Sequence, residues 1–259
     1  METVRYGSTE LVVSRLCFGT GPIGGILNDL PDERGAELLE YAFDRGVNFW
    51  DTAEGYDSHR HVRAALKRVD RDAVAINTKT GAQSQADGLA SVERALEEMG
   101  IDHVDSMMLH GVEDPADFES RRGCLEALLE AKGEGRVLHV GVSTHVYTGP
   151  VLELLAESDE IEIVLCHMNM KGMGLVGGDF ETHRALVKRL YDSGKAVSIM
   201  KIMSGGSVTA DDAEEWISWS FDYPHTHSVN LGMWKEREID FAVRIASRVG
   251  PKSPVGAGV

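Results

Sequence analysis

Eight times along its 259 residues the chain repeats one pattern: an amphipathic helix, a glycine-containing turn, a short apolar run rich in β-formers, and a polar loop. That count, a length suited to one large core, and the lack of a G-x-G-x-x-G after the first strand predict an α/β fold. The form expected is a closed (β/α)8 TIM barrel with a short N-terminal β-hairpin. The alternative is an open doubly wound sheet, but "GTGPIGG" does not carry the dinucleotide-binding spacing of such a sheet.

The elements follow in order. "VRYGSTELVVSRL" alternates apolar and polar residues around Gly7-Ser8 and reads as a hairpin over residues 1–14, capping the bottom of the barrel. Strands are expected near 15–19, 47–51, 73–79, 104–109, 137–143, 161–167, 196–202 and 227–232. Helices are expected near 32–45, 58–69, 87–99, 119–132, 149–157, 181–193, 210–220 and 235–249. "DERGAELLEYAFDRG" puts Leu38, Leu39, Ala42 and Phe43 on one face and stops at Gly46; Gly100 and Gly194 end two further helices in the same way. No linker or low-complexity segment interrupts this series, so residues 1–259 read as a single domain, with 251–259, "PKSPVGAGV", as a mobile tail.

Composition excludes several classes. Forty-two acidic against 26 basic residues give a formal charge of −16, a surface that repels nucleic acid and anionic membranes, so neither is expected as a partner. No apolar run reaches the length of a membrane span, and the start lacks a basic, then apolar, secretory pattern. Cys17, Cys124 and Cys166 are odd in number and show no C-x-x-C spacing, which fits a reducing cytoplasm and argues against a cysteine-built metal site.

In a parallel barrel, chemistry belongs where strands run out into the following loops. Those positions carry Thr20, then Asp51 and Tyr56 in "FWDTAEGYD", Lys79 in "AINTKTG", His110 in "MMLHG", and Ser143 with Thr144. His167 and Asn169, Lys201, and the run Met233, Trp234 and Lys235 complete the ring. Each has a plain structural reading: Asp51 as a helix cap, Lys79 as a solvated charge, His110 as a satisfied rim imidazole. A carboxylate, a phenol, an ammonium and an imidazole after three successive strands is a more demanding pattern, because closure of the barrel makes those loops neighbours.

The stretches "LCFGTG", "NFWDTAEGY", "INTKTG", "DSMMLHG" and "GVST" resemble, in this order, the aldo-keto reductases. The resemblance is to the short bacterial branch whose seventh strand ends in Met-Lys followed by glycines, as in "SIMKIMSGG". It implies carbonyl reduction with NADP(H), NAD(H) being possible, and a catalytic tetrad of Asp51, Tyr56, Lys79 and His110. Tyr56 would give a proton to the developing alkoxide, Lys79 would lower its pKa, Asp51 would hold Lys79, and His110 would orient the carbonyl. Cofactor contacts would fall on Thr20, Asp51, Ser143, Thr144, Lys201, Met233, Lys235 and Arg237. The partner is expected to be a small carbonyl compound, and the chain a monomer or small homo-oligomer.

The resemblance departs from the family pattern in three places. Thr144 stands where an asparagine is usual, "VLCHMNM" offers Leu165, His167 and Asn169 in place of a glutamine, and "GMWKEREID" interleaves Lys235 and Arg237 with Glu236 and Glu238. A helix start with two cations suits a phosphate, and the glutamates oppose it. The brief loop "GVEDPADFE" and the early end of the chain imply an open pocket, which Met170, Met173 or Trp234 would line. Three other functions compete: a Schiff-base lyase on Lys79 or Lys201, a metal hydrolase on His110, His145 and His167, and a nucleotide-binding regulatory module without turnover.

Overall fold

The computed structural model describes residues 1–21, 30–145, 149–176 and 178–248. Two short strands, β1 (Thr3–Arg5) and β2 (Val12–Ser14), form an antiparallel pair. Eight more close into a parallel barrel: β3 (Leu16–Gly19), β4 (Phe49–Asp51), β5 (Ala75–Thr80), β6 (Val104–Leu109), β7 (Val137–Thr144), β8 (Ile163–His167), β9 (Ala196–Met200) and β10 (Ser228–Gly232). The spatial order is that of the chain, β10 closing on both β9 and β3.

The helices are α1 (Asp32–Phe43), α2 (His59–Ala65), α3 (Gln85–Met99), α4 (Pro115–Ser120), α5 (Arg122–Gly133), α6 (Pro150–Glu157), α7 (Phe180–Asp192), α8 (Ala213–Asp222) and α9 (Glu236–Ala246). Several starts are capped by a side-chain oxygen: Ser84 accepts from Asp87 N, Asp114 from Asp117 N, and Asp179 from Thr182 N. Gly100 ends α3 at φ +69°, a left-handed turn that glycine adopts without cost.

Alternation along the strands makes two cores. Outward side chains such as Phe18, Trp50, Ile76 and Val140 pack under the helices. Inward ones, Cys17, Phe49, Ala75, Met108, Ile163, Leu165, Ala196 and Met200, fill the barrel. Tyr6 and Val13 of the hairpin join the inner set. Tyr6 is fully buried, with its hydroxyl 2.6 Å from Ser198 Oγ. Gly7 makes this seating possible: a Cβ there would lie 2.4 Å from the Ala196 backbone nitrogen. All three cysteines are buried and unpaired.

The expected elements appear within a few residues of their positions, with two instructive differences. The single helix expected over 119–132 is two, because the chain breaks at Arg121 (φ −99°, ψ +15°), whose guanidinium turns back to Asp117 and to the His110 carbonyl. The strand expected over 196–202 stops at Met200, because Lys201 takes a left-handed φ of +57°. The tail at 251–259, the last residue of the expected final helix, Val249, and most of "GTGPIGG" lie outside the described residues. Among the described residues no helix is long and apolar enough to cross a membrane.

Candidate active site

Period-two alternation carries the key side chains to the upper mouth of the barrel. On β4, Phe49 and Asp51 face inward; on β5, Ala75, Asn77 and Lys79 do so, with Asp51 registered opposite Asn77. Lys79 is 1% exposed and its Nζ donates to Asp51 Oδ1 at 2.6 Å and to the Thr52 carbonyl at 2.8 Å. Asp51 has further donors: Asn77 Nδ2 bonds the same Oδ1, and Asn230 Nδ2 reaches Oδ2 at 2.7 Å. Asn77 is itself fixed by Ser106 Oγ, which donates to its Oδ1 at 2.7 Å. A buried charge with this many partners is compensated; one stripped of them would be costly.

Tyr56 stands above this pair on a 3-10 turn, Glu54–Tyr56. The turn is pinned on both sides. Glu54 Oε2 accepts from Thr80 Oγ1 at 3.0 Å and Ser91 Oγ at 3.1 Å, and its other oxygen pairs with Arg94. Two residues past Tyr56, Ser58 Oγ lies 2.7 Å from both Thr20 Oγ1 and Thr52 Oγ1, three fully buried hydroxyls that tie the turn to the ends of β3 and β4. The Lys79 ammonium is 5.0 Å from the Tyr56 ring centroid. The Tyr56 hydroxyl is 3.4 Å from His110 Nε2, with the rings edge to face at 5.5 Å.

Burial is the largest influence on the Tyr56 phenol and raises its pKa; the nearby Lys79 charge pulls the other way without winning. Lys79 thus acts in the direction that the resemblance implied, and burial outweighs it, so the resting phenol keeps its proton near neutral pH. For Lys79, burial works against the charge, and Asp51 and Tyr56 outweigh it, so its ammonium is held. Burial, then the cationic field of Lys79, pushes His110 down to about 3, so its imidazole is neutral near neutral pH.

The four side chains named from the sequence therefore converge. A cavity of about 390 Å³ opens over them, lined by Asp51, Tyr56 and His110 together with His145, Lys201 and Asn230. A second groove of about 590 Å³ continues past Met203, Leu231 and Gly232 to the start of α9, where Met233, Trp234, Arg237 and Glu238 line it. Of the expected cofactor contacts, Asp51 and Lys201 line the first space, and Met233 and Arg237 the second. The others are placed differently. Thr20 is tied up in the hydroxyl network, Ser143 Oγ accepts from Gly111 N at 2.9 Å, and Lys235 lies 4.2 Å over the Trp234 ring. Thr144 Oγ1 is buried with no partner among the described residues. His167 and Asn169 bond each other at 3.0 Å, and Asn169 holds the following loop through Met173 N and O, so both are spent on structure.

Sequence reasoning passed over Asn77, Asn230 and Arg121. The first two left a trace, a carboxamide within a strand, in "AINTK" and "SVNLG". Arg121, whose Nη1 donates to the His110 carbonyl at 2.8 Å, left none. Among the described residues no group of three or more His, Cys, Asp or Glu is arranged to hold a metal ion.

An eight-stranded parallel barrel with a Lys–Asp pair under a tyrosine and a histidine at its mouth defines a class of barrel oxidoreductases, and the comparisons agree. The model of the aldo/keto reductase family matches residues 15–217, and the chain belongs to that family. Among curated relatives it is 30% identical over 158 residues to the probable aldo-keto reductase 1 of Glycine max, a match covering 55% of this chain and 45% of that protein. The NADH-specific methylglyoxal reductase of Escherichia coli is 24% identical over 84% of this chain and 72% of its own length. Among solved structures, a putative aldo-keto reductase from Pseudomonas aeruginosa superposes with a TM-score of 0.79 at 22% identity, covering 95% of both chains, a likeness of fold.

Proposed function

We propose that the chain is an NADP(H)-dependent aldo-keto reductase that converts an aldehyde or ketone to an alcohol. The observation that carries this reading is the sealed Lys79–Asp51 pair beneath Tyr56, with His110 Nε2 3.4 Å from the phenol oxygen. Tyr56 would give its proton to the substrate oxygen. Because burial keeps the phenol protonated at rest, Lys79 contributes as charge develops: its ammonium stabilises the phenolate that remains. Asp51 holds that ammonium in place, and neutral His110 hydrogen-bonds the carbonyl oxygen and turns it toward Tyr56.

A nicotinamide dinucleotide would have the cleft from Tyr56 to the start of α9 to lie in, and Thr144 Oγ1 is a buried polar atom without a partner among the described residues. Bound there, the cofactor supplies the hydride. We assign Thr20, Asp51, Ser143, Thr144, Lys201, Met233, Lys235 and Arg237 as the residues that would hold or shape its site, Thr20 and Ser143 acting through the loops they fasten. NAD(H) is the second reading of the cofactor. Glu238 favours it: its Oε2 accepts from Trp234 N at 3.0 Å and so places a carboxylate at the helix start beside Arg237. The name of the Escherichia coli relative points the same way.

The substrate would be a small carbonyl compound, taken by one barrel domain working in the cytoplasm as a monomer or small homo-oligomer, with no nucleic acid or membrane partner. The rival lyase reading loses support from Lys79, whose amine is held as an ammonium and is not a free nucleophile. Titration with NADPH and with NADH, followed by quenching of the four tryptophans, tests the cofactor. Turnover of aldehydes by the native chain and by Tyr56→Phe tests the chemistry. Full activity in Tyr56→Phe would overturn the role given to Tyr56, and binding of neither nucleotide would overturn the reductase reading.

A further inference from the structure

Asn230 and Asp51 come from strands that are not neighbours. β10 pairs with β3 and β3 with β4, so β10 and β4 stand two strand spacings apart, about 9.6 Å. Asn230 nonetheless donates to Asp51 Oδ2 at 2.7 Å, reaching across the face of β3. It can do so because the residue it crosses is Gly19. A Cβ on Gly19 would lie 2.3 Å from Asn230 Oδ1, inside any tolerable contact. In the ladder Gly19 lies opposite Asp51 on one side and, on the other, opposite Gly232, two residues past Asn230. The strand therefore lacks a side chain where the carboxamide passes.

On the other carboxylate oxygen, Lys79 and Asn77 both donate to Oδ1. The two oxygens thus have separate tasks, and Lys79 meets one of them only. A buried carboxylate oxygen left without a donor is costly, and the adjacent ammonium is a group that could move to satisfy it. Such a shift would move the charge from its place 5.0 Å from the Tyr56 ring centroid.

We infer that Asn230 is a positioning residue: by occupying Asp51 Oδ2 over Gly19 it keeps Lys79 on Oδ1 and its ammonium beside Tyr56. The inference rests on the proposed reductase reading for its kinetic consequence but not for its structural one. It extends the working group from four side chains to one on the strand that closes the barrel.

The test uses Asn230→Leu, Gly19→Ala and the double variant, with folding checked by circular dichroism. Phenolate formation at Tyr56 is followed by NMR of ring-labelled tyrosine, assigned by the loss of one signal in Tyr56→Phe. With Asn230→Leu the Tyr56 titration moves to higher pH, and kcat for an accepted carbonyl falls by up to about tenfold per unit of that movement, while KM holds. Gly19→Ala, which displaces Asn230 without deleting it, gives the same change, and the double variant is no worse than either single one. If Asn230→Leu does not fold, Gly19→Ala carries the test alone. An unmoved Tyr56 titration in a folded variant, or two independent losses that add in the double variant, overturns the inference. The titration needs no turnover, so a chain that reduces no carbonyl sinks the proposed reaction and still leaves Asn230 decided by the NMR shift.

Discussion

Asp51 and Lys79 are 4% and 1% exposed, and their polar atoms are met by Asn77, Asn230 and the Thr52 carbonyl. At the far end of the same cleft, Arg237 is exposed, Lys235 lies over the ring of a Trp234 that is 39% exposed, and Glu236 pairs with Arg34 at the surface. One end is built from barrel strands whose register leaves little freedom; the other is built from a loop and the first turn of a helix. The contrast teaches where this chain has latitude. Charges locked in the barrel mouth are coupled to the fold, whereas those at the start of α9 can change with little effect on it.

The sharpest way to break that comparison is Lys79→Met. It leaves Asp51 buried beside an apolar chain, so stability falls by about 3–5 kcal/mol in a denaturant titration. The proposed activity falls by about 10²–10⁴-fold, measured as kcat/KM. A variant that keeps native stability would show that the pair is not the buried, interdependent unit described.

This asymmetry also decides what could be read from the sequence. The barrel, its element order and the convergence of Asp51, Tyr56, Lys79 and His110 were legible because strand alternation and strand ends are local signals. The support was not. Asn230 reaches Asp51 across an intervening strand, Arg121 reaches the His110 carbonyl from a helix break, and Ser58 joins two strand ends; each depends on distances that closure of the barrel sets. That burial outweighs Lys79 at Tyr56 was hidden for a related reason, since this burial exists only in the folded mouth.

Acid should act next most strongly, and at the barrel end. His110 is held down to about 3, and His145 and His183 to about 4, in each case chiefly by burial, from an ordinary 6.5. Protonation therefore favours the unfolded chain. The stability these groups contribute is present above pH ~6.5 and is lost as pH falls through ~4, at up to about 1.4 kcal/mol per pH unit for each buried group. His145, partly open at the mouth, adds less. Denaturant midpoints at pH 7 and pH 5 check this, and equal midpoints would contradict it.

Glu238→Gln probes the other end. Removing that carboxylate should improve NADPH binding relative to NADH by about 3–10-fold, about 1 kcal/mol, read from tryptophan quenching, with melting temperature nearly unchanged. A large stability loss would mean that the start of α9 is as tightly built as the barrel mouth. Smallest of all, Arg34→Ala should cost about 0–1 kcal/mol in thermal unfolding, because the pairs of Arg34 with Glu37 and Glu236 lie in solvent.

The three enclosed thiols have a chemical consequence. Burial holds Cys17 far above its ordinary pKa, Cys124 up at about 11 and Cys166 at about 12, so almost none of their sulfur is thiolate in neutral solution. Alkylating agents and reactive electrophiles attack the thiolate, and in the native chain they find little of it. Such a protein should survive exposure to reagents that inactivate enzymes with open, acidic cysteines.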